Sequence, residues 1–220
     1  MNPLRFYRST IGKKIIMAVT GVIGIAFLVA HMAGNLQIFE GADKINAYGR
    51  FLHGPAHELL LVQRVVLIVA VLLHILMAWQ ITQRNRAARP EAYRKREPQV
   101  STLASRTMRW GGVLLLVFIV LHILHFTTGD VRPAGTFVLG DVYGNAVGSF
   151  RIWWVTAFYL VSMVFLGLHL YHGAWSSVRT LGLRGPSPVP QVRRVGGAIA
   201  LIIAIGFALV PLAVFVGWVK

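Results

Sequence analysis

Five runs of the sequence, residues 15–36, 65–83, 110–128, 152–178 and 195–219, carry no Lys, Arg, Asp or Glu at all. Each is about as long as, or longer than, the ~20 residues an α-helix needs to cross a ~30 Å hydrocarbon core. In lipid every backbone N–H and C=O must be satisfied within the protein, which leaves helices and closed barrels. None of the five runs shows the two-residue alternation of a barrel strand. With 56% hydrophobic and 13% charged residues in 220, the chain is also too apolar for a soluble domain of its size. The expected fold is therefore an all-α membrane protein with five transmembrane helices in one domain. The spans fall at about residues 15–36, 59–83, 110–128, 152–178 and 195–219.

The formal charge of +15 invites a nucleic-acid reading until its distribution is considered. If the N-terminus is inside, 16 of the 22 basic residues fall in the inner segments. These are Arg5, Arg8, Lys13 and Lys14, then the Arg84–Arg109 loop, then Arg179, Arg184, Arg193 and Arg194. Five of the seven acidic residues (Glu40, Asp43, Glu58, Asp130 and Asp141) fall outside. The positive-inside rule accounts for this split and puts the N-terminus inside and the C-terminus outside. No basic and aromatic pattern of a nucleic-acid reader accompanies the charge, so nucleic acid is not an expected partner. With no cysteine in the chain, disulfides, iron–sulfur ligation and covalent haem attachment are excluded within it. The first apolar run is too long for a signal-peptide core and has no small-x-small cleavage site, so it reads as a retained span.

Between the spans, Pro90 and Pro98 interrupt the basic inner loop, and Pro186, Pro188 and Pro190 mark the inner linker before span five. The second outer loop, residues 129–151, mixes Phe137, Val138, Leu139 and Val142 with turn formers and is expected to form a short folded cap. Pro211 is expected to kink span five. Spans one to four are expected to form a bundle, with span five packed outside it.

Six of the eight histidines lie inside spans: His31, His74, His122, His125, His169 and His172. Ionisable side chains at membrane depth are costly and generally functional. At 1.5 Å per residue, His31 and His122 lie about 25 and 20 Å from the inner starts of their helices. His74 and His169 lie about 20 and 25 Å from the outer starts of theirs. The four pair by depth, His31 with His122 in the outer half and His74 with His169 in the inner half, roughly 15 Å apart. Two planar cofactors stacked along a four-helix bundle, each held by two imidazoles, match this pattern. Haem suits it, and without cysteine the haem is non-covalent, b-type. Spacing alone leaves the ligand open within His122-x-x-His125 and His169-x-x-His172, because residues three apart share a helix face. Gly21, Gly24, Gly111, Gly112, Gly167 and Gly173 would let a flat ligand or a neighbouring backbone approach closely. Arg106, Arg109 and Arg179, at the inner helix ends, are placed to pair with the propionates of the inner haem.

The chain resembles the single-subunit, di-haem cytochrome b membrane anchor of succinate dehydrogenase and quinol:fumarate reductase, of the cytochrome b558 type. The resemblance covers nearly the whole length. It rests on Gly12-Lys13-Lys14 with Met17-Ala18-Val19-Thr20-Gly21, on His31-Met32-Ala33-Gly34-Asn35, on Leu121-His122 and on His169 to Ser176. In the last of these a Gly stands four residues after the ligand and an aromatic two beyond it. The resemblance implies that His31 and His122 ligate the outer haem and His74 and His169 the inner one, leaving His125 and His172 beside propionates or quinone. It implies two haem b groups here, FAD and iron–sulfur clusters only in a flavoprotein subunit and an iron–sulfur subunit, and no succinate-oxidising residue in this chain. It also implies a bacterial cytoplasmic membrane, lipid contact, and a membrane quinone, menaquinone above all, near the outer haem. His53, His57, Glu58 and Arg64 form the nearest protonatable cluster for that quinone. A higher oligomer and either direction of turnover are compatible with the sequence.

Three other readings compete. A membrane di-iron oxygenase needs about eight histidines clustered on one membrane face, whereas the two His-x-x-His pairs here point to opposite sides. The di-haem anchor of another quinone-linked dehydrogenase, such as a hydrogenase or formate dehydrogenase, would be distinguished by its neighbouring genes. A haem-free anchor would be distinguished by cofactor content.

The sequence also departs from part of the family. Some fumarate reductases of this type carry a carboxylate two residues before the span-four ligand, where this chain has Gly167, and none of the five uncharged runs holds an acid. The expected outcome is that proteoliposomes show no transmembrane proton transfer compensating electron flow. Compensating transfer that persists after the loop carboxylates are removed would contradict this.

Overall fold

The computed structural model describes residues 2–88, 102–183 and 189–220. The basic run from Arg89 to Arg96, together with Pro90, Pro98, Arg184, Pro186 and Pro188, lies outside these. Among the described residues eight α-helices follow in order: α1 (Pro3–Arg8), α2 (Thr10–Leu36), α3 (Ala42–His53), α4 (His57–Ala87), α5 (Leu103–Phe126), α6 (Val142–Phe150), α7 (Trp153–Thr180) and α8 (Val189–Phe215). Among the described residues there is no strand. Five helices, α2, α4, α5, α7 and α8, are long and apolar enough to cross a membrane. Their outward surfaces are apolar, as on α4 where Val65, Val66, Ile68, Val69 and Leu72 are all exposed. Such faces belong in hydrocarbon rather than water.

The helices start where local chemistry allows. The Ser9 hydroxyl caps α2 by accepting from the Gly12 N–H at 2.8 Å, and the Thr102 hydroxyl caps α5 by accepting from Ser105 at 3.2 Å. Each satisfies an N–H that the helix itself cannot. The first outer connection folds largely as α3. Gly41, at a φ of 100°, turns the chain sharply, and the amphipathic segment after it buries Ile45. A Cβ at Gly34 would come within 2.8 Å of the Tyr48 ring, so this glycine lets α3 fold back against the end of α2.

The second loop forms the expected cap. The Asp141 carboxylate caps α6 at Gly144 N. Asn46 of α3 donates to Asp141 Oδ1 at 3.0 Å and accepts from Tyr143 N at 3.0 Å, clasping α3 to α6. The C-terminus joins this end through Tyr143, whose hydroxyl donates to the Lys220 carbonyl at 2.8 Å. Beneath the cap lies the larger core, built from Ile38, Ile45, Ala146, Val147, Phe150, Val155, Tyr159, Val210 and Val214. At the opposite end the buried Lys13 donates to Gln80, and Gln80 donates to the Tyr7 hydroxyl at 2.9 Å. These bonds tie α1 and the start of α2 to the end of α4.

The long helices pack unevenly. Helix α2 packs against α4, α7 and α8, and α5 against α7, whereas α2 with α5 and α4 with α7 make no more than isolated backbone approaches. Span five, as α8, packs extensively on α7 and also on α2. The seam is made of small residues: Gly167 against Ala204, Gly196 against the Trp175 backbone and Gly197 against the Tyr171 ring. Small residues are what bring membrane helices together. Helix α8 continues through Pro211 to Phe215.

Asn46→Leu removes both clasp bonds and leaves Tyr143 N without its partner. It should destabilise the protein by about 1–3 kcal/mol, read as a lowered thermal midpoint in detergent with the helix content of the folded state unchanged.

Candidate functional site

The gaps between the unpacked helix pairs are bridged by histidines. His31 on α2 faces His122 on α5, with ring centroids 5.9 Å apart and planes at 80°. His74 on α4 faces His169 on α7, with centroids 6.1 Å apart and planes at 53°. A Cβ at Gly21 would lie 3.4 Å from His74 Cε1, which sets His74 beside Gly21 on α2. His31 is ten residues further along the same helix, so the two pairs are about 15 Å apart along the bundle.

Each pair has its own surroundings. His74 Nδ1 donates to the Met17 carbonyl at 3.0 Å and lies 3.2 Å from the Thr20 hydroxyl. That fixes the proton on Nδ1 and leaves Nε2 as the ring nitrogen with a lone pair, the tautomer metal-binding histidines use. The Thr20 hydroxyl is itself anchored on the Ile16 carbonyl at 2.8 Å. His169 Nδ1 is buried with no partner. Around the other pair the walls are aromatic. Phe27 stacks on His31 at 5.2 Å, Phe118 stacks on His122 at 5.6 Å, and Phe207 of α8 reaches the His31 ring at 5.7 Å. Asn35 Nδ2 approaches His31 Nε2 at 3.4 Å.

The choice that spacing leaves open within His122-x-x-His125 acquires a physical basis. His125, 5% exposed, has both nitrogens engaged, Nδ1 with the Tyr159 hydroxyl at 3.0 Å and Nε2 with the Ser149 hydroxyl at 2.8 Å. His122 has only its Nδ1 engaged, with the same Tyr159 hydroxyl at 3.4 Å. In the second pair His169 faces His74, while His172 lies edge-on to Trp175 at 5.6 Å with its Nδ1 buried and unpartnered. Arg193 lies over the same Trp175 ring at 4.7 Å, its Nε also buried and unpartnered, and Arg179 stands 5.8 Å from that ring. Arg106, Arg109 and Arg179 are exposed at this end.

The expected quinone cluster is only loosely assembled. His53, His57 and Glu58 are exposed. His53 Nδ1 donates to the Gly49 carbonyl at 2.9 Å, and Arg64 reaches its Nε2 at 3.5 Å. Of the glycines, Gly24, Gly112 and Gly173 have open space where a Cβ would stand, whereas Gly111 and Gly167 are packing positions against Phe165 and Ala204. An open apolar groove of about 440 Å³ lies between α2 and α4, lined by Ile16, Val19, Val66 and Val69 among others.

The donor set of each bridge is two neutral imidazoles. Two imidazoles on opposite faces of one metal ion, each about 2 Å from it with a ring centroid roughly 1 Å further on, have centroids roughly 6 Å apart. Both pairs meet that separation. Among the described residues no group of three or more His, Asp or Glu converges; a haem at either bridge would be held by one imidazole from each of two helices. The residues present therefore fit a bis-imidazole haem. Compared with family models, curated proteins and solved structures, the chain matches none.

Sequence reasoning did not single out Tyr159, Ser149, Thr20 as a partner of His74, or Arg193. Tyr159 had a signal, since it lies ten residues before His169 on α7 and hence about 15 Å along the helix from it. That is the level of His122.

Proposed function

We propose that this protein is the di-haem cytochrome b membrane anchor of a succinate:quinone oxidoreductase. In that role it carries electrons between an iron–sulfur subunit and a membrane quinone, menaquinone by resemblance. The observation that carries the reading is the pair of histidine bridges, each across helices that otherwise do not pack, at two depths. A b-type haem held there supplies reversible one-electron chemistry.

The chain's own residues supply position and surroundings. His31 and His122 hold one group and His74 and His169 the other. The Met17 carbonyl and Thr20 orient His74, while Phe27, Phe118 and Phe207 keep water from the first pair. His172, Arg193 and Arg179 gather donors and positive charge at the basic end, where carboxylates of a bound group would be neutralised. The charge asymmetry supports a reading in which that basic end and the N-terminus face the cytoplasm across a bacterial membrane. It also presents a cationic face to a flavoprotein and iron–sulfur partner. His53, His57, Glu58 and Arg64 lie on the opposite side and are the protonatable groups available to a quinone there. The quinol:fumarate reductase direction uses the same parts.

Redox titration of the four single His→Ala variants tests the assignment. His31→Ala and His122→Ala should lose one and the same haem, and His74→Ala and His169→Ala the other, each variant retaining half the wild-type content. Loss of different haems within a pair, or no effect from any of the four, would contradict it. Thr20→Val removes one of the two groups at His74 Nδ1 and should loosen the inner haem about tenfold, measured as haem transfer to an apo-globin acceptor.

A further inference from the structure

A buried polar chain runs from the outer bridge into the cap. Its members are His122 Nδ1, the Tyr159 hydroxyl, His125 and the Ser149 hydroxyl, linked at 3.4, 3.0 and 2.8 Å. His125, Tyr159 and Ser149 are 5%, 7% and 4% exposed, in the aromatic setting of Phe118, Phe126 and Phe150. Three helices contribute: α5 the two histidines, α7 the tyrosine and α6 the serine.

We infer that Tyr159, His125 and Ser149 form a positioning chain that orients the His122 ring and lowers the reduction potential of the group it ligates. The inference rests on the functional reading above, and it follows from counting protons. If His122 ligates through Nε2, its Nδ1 carries the proton and donates to the Tyr159 oxygen. The single Tyr159 proton is then donated to His125 Nδ1. His125 is left with its proton on Nε2, which donates to the Ser149 oxygen. Every donor points the same way, from the ligand toward the cap, and each bond strengthens the one before it. An acceptor on the distal nitrogen of a ligating imidazole raises the ligand's basicity. A more basic ligand favours the oxidised metal, hence the lowered potential. The chain also explains why a second histidine stands three residues after the first.

Tyr159→Phe and Ser149→Ala, in the detergent-solubilised, haem-loaded protein, separate the alternatives. Tyr159→Phe should raise the midpoint potential of the outer haem and leave the inner one unmoved. It should also shift the outer haem's EPR gmax, which reports the angle between the two ligand planes. Ser149→Ala, acting two bonds away, should shift the potential in the same direction by less. Nitrogen-15 spectra of the wild-type protein should show His125 protonated on Nε2. Two haems with an unmoved outer potential in Tyr159→Phe, or His125 protonated on Nδ1, would overturn the positioning chain and leave the di-haem reading standing. Wild-type protein without haem would instead overturn the functional reading itself. Should Tyr159→Phe not fold, Ser149→Ala with the His125 spectrum decides the matter alone.

Discussion

An imidazole placed in hydrocarbon must have its nitrogens satisfied by something other than water, and this constraint organises the molecule. The six histidines of the long helices meet it to different degrees, Nδ1 of His169 and of His172 being buried without a partner. His125 spends both nitrogens on protein groups. His74 spends one on the Met17 carbonyl and the neighbouring Thr20 hydroxyl, and its ring lies 6.1 Å from that of His169. Helix packing follows suit. The pairs that pack, α2 with α4 and α5 with α7, hold the frame, while the pairs that do not, α2 with α5 and α4 with α7, leave the openings the rings bridge. Closing those openings with backbone contact would remove the bridges.

The two ends of the bundle have different characters. Toward the cap, α3, α6 and the C-terminus are clasped by Asn46 and Tyr143 over the main core. That core includes Tyr159 and Phe150, so the His31–His122 bridge sits directly under the best-packed part of the molecule. The basic end is held by fewer contacts, with Lys13, Gln80 and Tyr7 on one side and Trp175 stacked with Arg193 on the other.

Much of this was legible in the sequence because the physics behind it is one-dimensional. Span length, absence of charge and histidine depth all scale with residue number along a helix. They gave five helices long and apolar enough to cross a membrane, and the structure brings the rings of His31 and His122, and of His74 and His169, near one another. What was not legible depends on contacts between helices. The first loop turned out to hold α3, because Gly41 and Gly34 permit a fold-back that composition does not reveal. Span five packs tightly on α7 through a glycine seam and brings Phe207 to the His31 ring. The His122 and His125 ambiguity needed the Tyr159 and Ser149 hydroxyls, which lie on two other helices. The expected quinone residues His53, His57 and Glu58 share a loop region in sequence and stand exposed, without a common pocket.

The most direct test of the central claim is a count of haem per chain in the wild-type protein, by pyridine haemochrome assay with a reduced-minus-oxidised spectrum. Two b-type haems per chain is the result the two histidine bridges predict. A folded, membrane-inserted protein containing no haem would contradict the account, and one haem per chain would show that only one of the bridges is a ligand pair.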